Sequence, residues 1–146
     1  MAESRAQAVW EGDLVGGHGT VTPDSGAFPE LPMTWAARTV RPDPGTSPEE
    51  LIASAHAACY AMALSHTLAT AGSPPERLEV SAVCQFHPLE AGGFAITQMD
   101  LDVRGTVPGL DADAFRRLAA EGEAGCPVSN ALRGNVDIRL KAALAS

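Results

Sequence analysis

Positive charge is scarce in this chain: ten Lys and Arg stand against 18 Asp and Glu, a net charge of -8. Phosphate backbones are bound by clustered cations that displace counterions, and the ten here are scattered, which argues against a nucleic-acid partner. Cysteine is scarce too. Cys59, Cys84 and Cys126 are an odd number with no C-x-x-C pair, unlike a secreted disulfide framework, and this leaves thiol chemistry or plain burial. No apolar run reaches the roughly 20 residues of a bilayer-spanning helix; the longest, LIASAHAACYAMAL, is interrupted by a histidine. The opening MAESRAQAVW has no basic patch followed by an apolar run and no small-residue cleavage site, so no signal peptide is expected. Repeats and low-complexity segments are missing as well. These absences together predict a cytoplasmic protein with no membrane partner.

What is present fits one domain over residues 1–146, because a chain of this length that is 45% hydrophobic can bury a single core. AQAVWEGD, HGTVT and MTWAART read as strands of a β-meander, with VGG, PDSG and FPELP as breakers. RPDPGT ends that region. A long helix then follows, with Ser47 as N-cap, Pro48 at the first helical position, Glu50 closing an S-x-x-E capping box, and Gly72 stopping it. Leu51, Ile52, Ala55, Ala58, Met62 and Leu64 are spread around the helix, so it is expected to be central and buried, partly against a second subunit. VSAVCQFH and ITQMDLDVRG alternate with period two, placing Met99, Leu101 and Val103 on one face. LDADAFRRLAAEGEAG reads as an amphipathic helix capped by Asp111 with a Leu110 to Phe115 staple, CPVSNAL as a short helix, and NVDIRLKAAL as a closing strand with Val136, Ile138 and Leu140 inward. The order βββ α ββ α α β is α+β.

Three groups of side chains are candidates for chemistry. Cys59 sits mid-helix, where a free cysteine is often just a small hydrophobe. Cys126 precedes Pro127, which makes it the expected N-cap of the short helix, its sulfur facing unpaired N–H groups that favour thiolate; an ordinary turn is the plainer reading. Cys84 shares a strand face with Val80, Ala82 and Phe86 and reads as core. His56 and Cys59 form H-x-x-C on one helix face, half of a metal site for which no further ligands are placed. His18 and His66 read as structural, and His87 as the solvent-facing end of a strand. Glu49, in the first helical turn, is stabilised by the helix dipole without further function. Arg38 lies on the strand parity opposite Trp35, and a guanidinium near a thiol lowers its pKa.

GTSPEELIASAHAACYAMALSHTLATAG and AGCPVSNAL, with AQAVWEGD and GFAIT elsewhere, resemble the OsmC/Ohr family of osmotically induced and organic hydroperoxide resistance proteins, from about Ala6 to Leu140. The resemblance implies an OsmC/Ohr-like fold, with antiparallel sheets packed around a long central buried helix in an intertwined homodimer that has two active sites at the subunit interface. It implies a thiol-dependent peroxidase acting on organic hydroperoxides in defence against oxidative and osmotic stress, with no cofactor. Carried over by motif, Cys59 in HAACY matches the peroxidatic cysteine, Cys126 in GCPVS the resolving one, Glu49 in PEEL the family glutamate, and Arg38 the arginine of the OsmC branch. RPDPGT is one residue longer than the family pattern, which leaves Arg41 as the alternative. An external dithiol completes the cycle, a dihydrolipoyl protein in the Ohr branch. Two other functions stay open on the residues: a non-catalytic dimer with an apolar interface cleft that binds a small molecule, and a His56/Cys59 metal site. A Cys/His acyl hydrolase fits poorly, since a mid-helix cysteine has no evident oxyanion donors.

Overall fold

Short alternating stretches separated by Gly, Pro and Asp turns give the first part of the chain its sheet. Strands β1 (Ala6–Glu11), β2 (His18–Pro23) and β3 (Leu31–Met33) form an antiparallel meander. The computed structural model describes residues 1–41 and 43–145, so Pro42 of the RPDPGT break lies outside the described residues. The chain divides into two units, Met1–Leu51 and Ile52–Ser146.

One segment of the first unit departs from the expected strands. MTWAART is not extended: β3 ends at Met33, taking up Leu31 and Pro32 of the expected FPELP breaker, and Trp35–Thr39 form a short helix, α1. Thr34 starts it, its hydroxyl accepting from the Ala37 N–H at 3.0 Å, and two alanines continue it. The strand parity drawn between Trp35 and Arg38 therefore does not hold. Three residues apart on a helix, they share a face.

Helix α2 (Pro48–Thr70) begins where its caps predict: Ser47 Oγ accepts from the Glu50 N–H at 3.1 Å, while the Glu50 carboxylate accepts from the Thr46 hydroxyl at 2.7 Å. Its far end is a Schellman motif. Gly72 takes φ +84°, a left-handed conformation that costs glycine nothing, and the N–H groups of Gly72 and Ser73 return to the carbonyls of Ala69 and Leu68.

The second unit holds strands β4 (Arg77–Pro88), β5 (Phe94–Thr106) and β6 (Asp137–Leu144) with helices α3 (Ala112–Ala124) and α4 (Pro127–Leu132). β4 pairs antiparallel with β5, but β6 pairs parallel to β5, so this sheet is mixed where antiparallel pairing was expected. A parallel neighbour requires a crossover of a dozen residues or more, and here α3 and α4 supply it. Asp111 caps α3, accepting from the Ala114 N–H at 2.8 Å, and Leu110 packs on the core that holds Phe115.

That core joins Met99, Leu101 and Val103 of β5, Phe115, Leu118 and Ala119 of α3, and Tyr60, Leu64 and Leu68 of α2. The α2 residues belong to a stripe at four-residue spacing: His56, Tyr60, Leu64 and Leu68, all fully buried. The opposite stripe, Ala55, Ala58, Met62 and Ala69, is exposed in the isolated chain, so burial on every face is not reached within one chain. Helix α3 lies close against α2 at Gly122, where an added Cβ would stand 3.0 Å from the Leu64 Cα.

Candidate functional site

Cys59 occupies the border between the two stripes of α2 and is half-buried. Cys126 is fully buried at the N-cap of α4, with Pro127 at the first helical position. The two are free thiols, 67 residues apart in sequence, and they hydrogen-bond to each other; the backbone N–H of Val128 donates to the Cys59 sulfur. This corrects one expectation. The unpaired N–H at the start of α4 serves Cys59, and Cys126 makes no side-chain cap bond, because its side chain is turned into the core cluster. Burial pushes the Cys59 thiol above the ordinary cysteine value, the Val128 N–H acts against that rise, and the adjacent Cys126 thiol adds to it.

Three residues before Cys59 and three after Cys126, His56 Nε2 and Ser129 Oγ lie 2.7 Å apart, and both side chains are fully buried. His56 Nδ1 is buried with no hydrogen-bond partner. Burial lowers the His56 pKa, Glu123 opposes the shift and Arg133 reinforces it, which favours the neutral ring. Sequence reading left the role of His56 open, with a metal site through H-x-x-C as one alternative that lacked further ligands. Its Nε2 is instead engaged by a serine that had drawn no notice, and among the described residues no three His, Cys, Asp or Glu side chains gather to hold an ion. The available signal was the position of His56 one helical turn before Tyr60 and two before Leu64, on the core stripe.

The charged candidates meet in the first unit. Arg38 Nε and Nη2 each lie 2.9 Å from Glu49 Oε1, and the guanidinium carbon is 5.9 Å from the Trp35 ring centroid. Glu49 is 5% exposed, and its Oε2 is buried without a hydrogen-bond partner, an open acceptor on a carboxylate fixed in place. Arg41 donates to the carbonyls of Asp43 and Gly45 and so braces the loop. The arginine that pairs with Glu49 is Arg38. Cys84 is half-buried on the core side of β4, and His18, His66 and His87 are exposed.

Residues 41–141 match the family model of OsmC-like proteins, a span that includes Glu49, Cys59 and Cys126. The chain belongs to the OsmC family. Over 139 residues it is 42% identical to peroxiredoxin OsmC of Escherichia coli, covering 94% of this chain and 96% of that protein. It is 33% identical over 97 residues to the organic hydroperoxide resistance protein of Xanthomonas axonopodis pv. citri, 66% of each chain. Among solved structures, an OsmC organic hydroperoxide resistance protein from Legionella pneumophila superposes with TM-score 0.77 at 25% identity over 98% of this chain and 99% of its own. The OsmC-family fold thus carries both thiols of this chain to one place. Among the described residues no helix is long and apolar enough to cross a membrane.

Proposed function

We propose that this chain is a thiol peroxidase that reduces organic hydroperoxides to alcohols, as the names of its Escherichia coli and Xanthomonas relatives suggest for those proteins. The observation that carries the reading is the contact between the Cys59 and Cys126 thiols under the Val128 N–H. The Cys59 thiolate attacks the distal oxygen of R–O–O–H; the O–O bond breaks, Cys59 becomes a sulfenic acid, and the departing alkoxide takes a proton to become the alcohol. Cys126 then attacks the Cys59 sulfur, the S–O bond breaks, and water leaves with the Cys126 proton. The two thiols have supplied both electrons, so no cofactor is required. An external dithiol, with a dihydrolipoyl protein as the candidate, restores them by exchange.

The same reading assigns a role to Arg38 and Glu49. Burial raises the Cys59 pKa, and a guanidinium near the sulfur would offset this. Glu49 and Cys59 are ten residues apart on α2, about 15 Å along the axis, more than a glutamate side chain spans. We therefore take the protein as a homodimer in which Arg38 and Glu49 of one subunit serve Cys59 of the other, with the exposed stripe of α2 as part of the joined surface. The test is peroxide consumption by pure protein with a dithiol. Wild type should turn over cumene hydroperoxide faster than hydrogen peroxide, because an apolar R group buries area worth about 25 cal/mol per Å², and Cys59→Ser should turn over neither. Full activity in Cys59→Ser ends the proposal.

A further inference from the structure

The peroxidase reading gives no task to His56 and Ser129, yet they form a fully buried side-chain link, 2.7 Å long, between the two elements that carry the thiols. α4 has only six residues and lacks a side-chain cap, so its position depends on what its side chains hold. Asn130 Nδ2 donates to the Ala124 carbonyl at 3.1 Å and Arg133 Nη2 to Glu123 Oε1 at 2.8 Å; both tie α4 back to α3. Towards α2 run the two hydrogen bonds of Cys59 and the bond between His56 and Ser129, beside the packing of Val128 and Leu132 on the core. A thiol is a weak partner in a hydrogen bond. An imidazole and a hydroxyl at 2.7 Å, both shielded from water, are a strong one.

The unpartnered Nδ1 fixes the proton. A buried N–H with no acceptor is rarer and costlier than a bare lone pair. The proton therefore sits on Nε2 and is donated to Ser129 Oγ. His56 stands on the buried stripe of the long helix α2 and Ser129, two residues beyond Pro127, on the six-residue α4, so His56 is the fixed arm and Ser129 the part it holds.

Resting on the peroxidase reading, we infer that the hydrogen bond from His56 to Ser129 is a latch that seats the first turn of α4 against α2 and sets the line along which Cys126 attacks the Cys59 sulfenic acid. His56 is a positioning residue for the resolving step, not a metal ligand. Attack on sulfur requires the incoming thiol in line with the S–O bond that breaks, and displacement by an ångström can cost about a hundredfold in rate. When the latch is lost, the short helix that carries Cys126 keeps only the weaker thiol hydrogen bonds of Cys59 and the packing of Val128 and Leu132 on the core to hold it towards α2.

The experiment follows disulfide closure in single turnover. Reduced protein is mixed with one equivalent of cumene hydroperoxide and quenched at intervals; remaining thiols are alkylated, and the Cys59–Cys126 disulfide is quantified by peptide mass. Ser129→Ala removes the hydroxyl. His56→Asn places its amide near the Nδ1 position and cannot reach Ser129, whereas the longer His56→Gln places an amide N–H near the Nε2 position. Closure should slow about tenfold in Ser129→Ala and His56→Asn, equivalent to about 1.4 kcal/mol of barrier, and recover to within about threefold of wild type in His56→Gln. Thermal melts confirm which variants are folded, and if His56→Asn is not, the comparison of Ser129→Ala with His56→Gln decides alone. Closure at the wild-type rate in Ser129→Ala, or closure in His56→Gln no faster than in Ser129→Ala, overturns the latch. Failure of the peroxidase reading looks different: wild type itself then forms no Cys59–Cys126 disulfide, and the inference falls with it.

Discussion

Cys59 is a thiol pulled in two directions, since burial resists its ionisation while the Val128 N–H favours it. On the proposed mechanism, Cys126 is the thiol placed to turn a Cys59 sulfenic acid into a disulfide. In Cys126→Ser the first step remains and the second does not, so this variant should consume about one equivalent of hydroperoxide and stop as a sulfenic acid, trapped by dimedone and read by mass. Multiple turnovers with dithiol in that variant would remove Cys126 from the resolving role. A second outcome concerns His56, whose pKa is lowered chiefly by burial, with Glu123 opposing and Arg133 assisting. The folded chain resists a proton that the unfolded chain accepts below about pH 6.5. The stability contributed by neutral His56 is therefore complete above that pH and is lost as pH falls towards the depressed folded value. Between about pH 7 and pH 5 the Tm of wild type should fall further than that of His56→Gln; parallel curves would show that His56 does not carry the acid sensitivity. The two cysteines were legible in the sequence because each lies in a short, distinctive motif. Ser129 was not, because its partner is 73 residues away and nothing local marks a serine in a helix as the terminus of a buried bond.

At the scale of elements, the packing of α3 on α2 sets where the chain stands when it enters α4. The close approach at Gly122 makes this testable. Gly122→Ala places a methyl 3.0 Å from the Leu64 Cα, a backbone atom that moves only if the helix moves, and overpacking of this kind costs about 1–3 kcal/mol. Helix propensity would favour alanine by about 1 kcal/mol, so the prediction is a net loss, seen as a lower midpoint in urea. A higher midpoint would mean that the helices part freely. Helix α2 was readable to the residue at its start because both ends carry side-chain chemistry, a serine cap with proline behind it and a glycine at the stop. MTWAART was misread for the opposite reason. Seven residues are too few for periodicity to separate strand from helix, and the deciding contact, Thr34 to the Ala37 N–H, is one that Thr makes only at a cap. The same misreading hid the stacking of Arg38 over Trp35. The parallel pairing of β6 was also invisible, since alternation in NVDIRLKAAL reveals faces but not direction.

At the scale of the whole molecule, two surfaces are open in the isolated chain. Every residue of β1 is exposed, and so is the Ala55, Ala58, Met62 and Ala69 stripe of α2, with Met62 at 69%. A homodimer that supplies Glu49 to the opposite Cys59 can be tested by mixing. On the proposed mechanism Cys59→Ser subunits should be inactive and Glu49→Ala subunits weakened. In their heterodimer one site combines an intact Cys59 with an intact Glu49, and activity should return to about half of wild type per dimer. A heterodimer no better than the Glu49→Ala parent would place both residues in one subunit. The topology of the second unit has a consequence for the order in which the protein is made. β6 leaves the ribosome after α3 and α4, yet it is the strand against which β5 must pair from Gln98 to Gly105. Until it arrives, the crossover bearing Cys126 has no far anchor. On the peroxidase reading, a growing chain carries Cys59 and Cys126 without the closed loop that aligns them, and competence for their mutual oxidation would arise only once β6 has paired with β5.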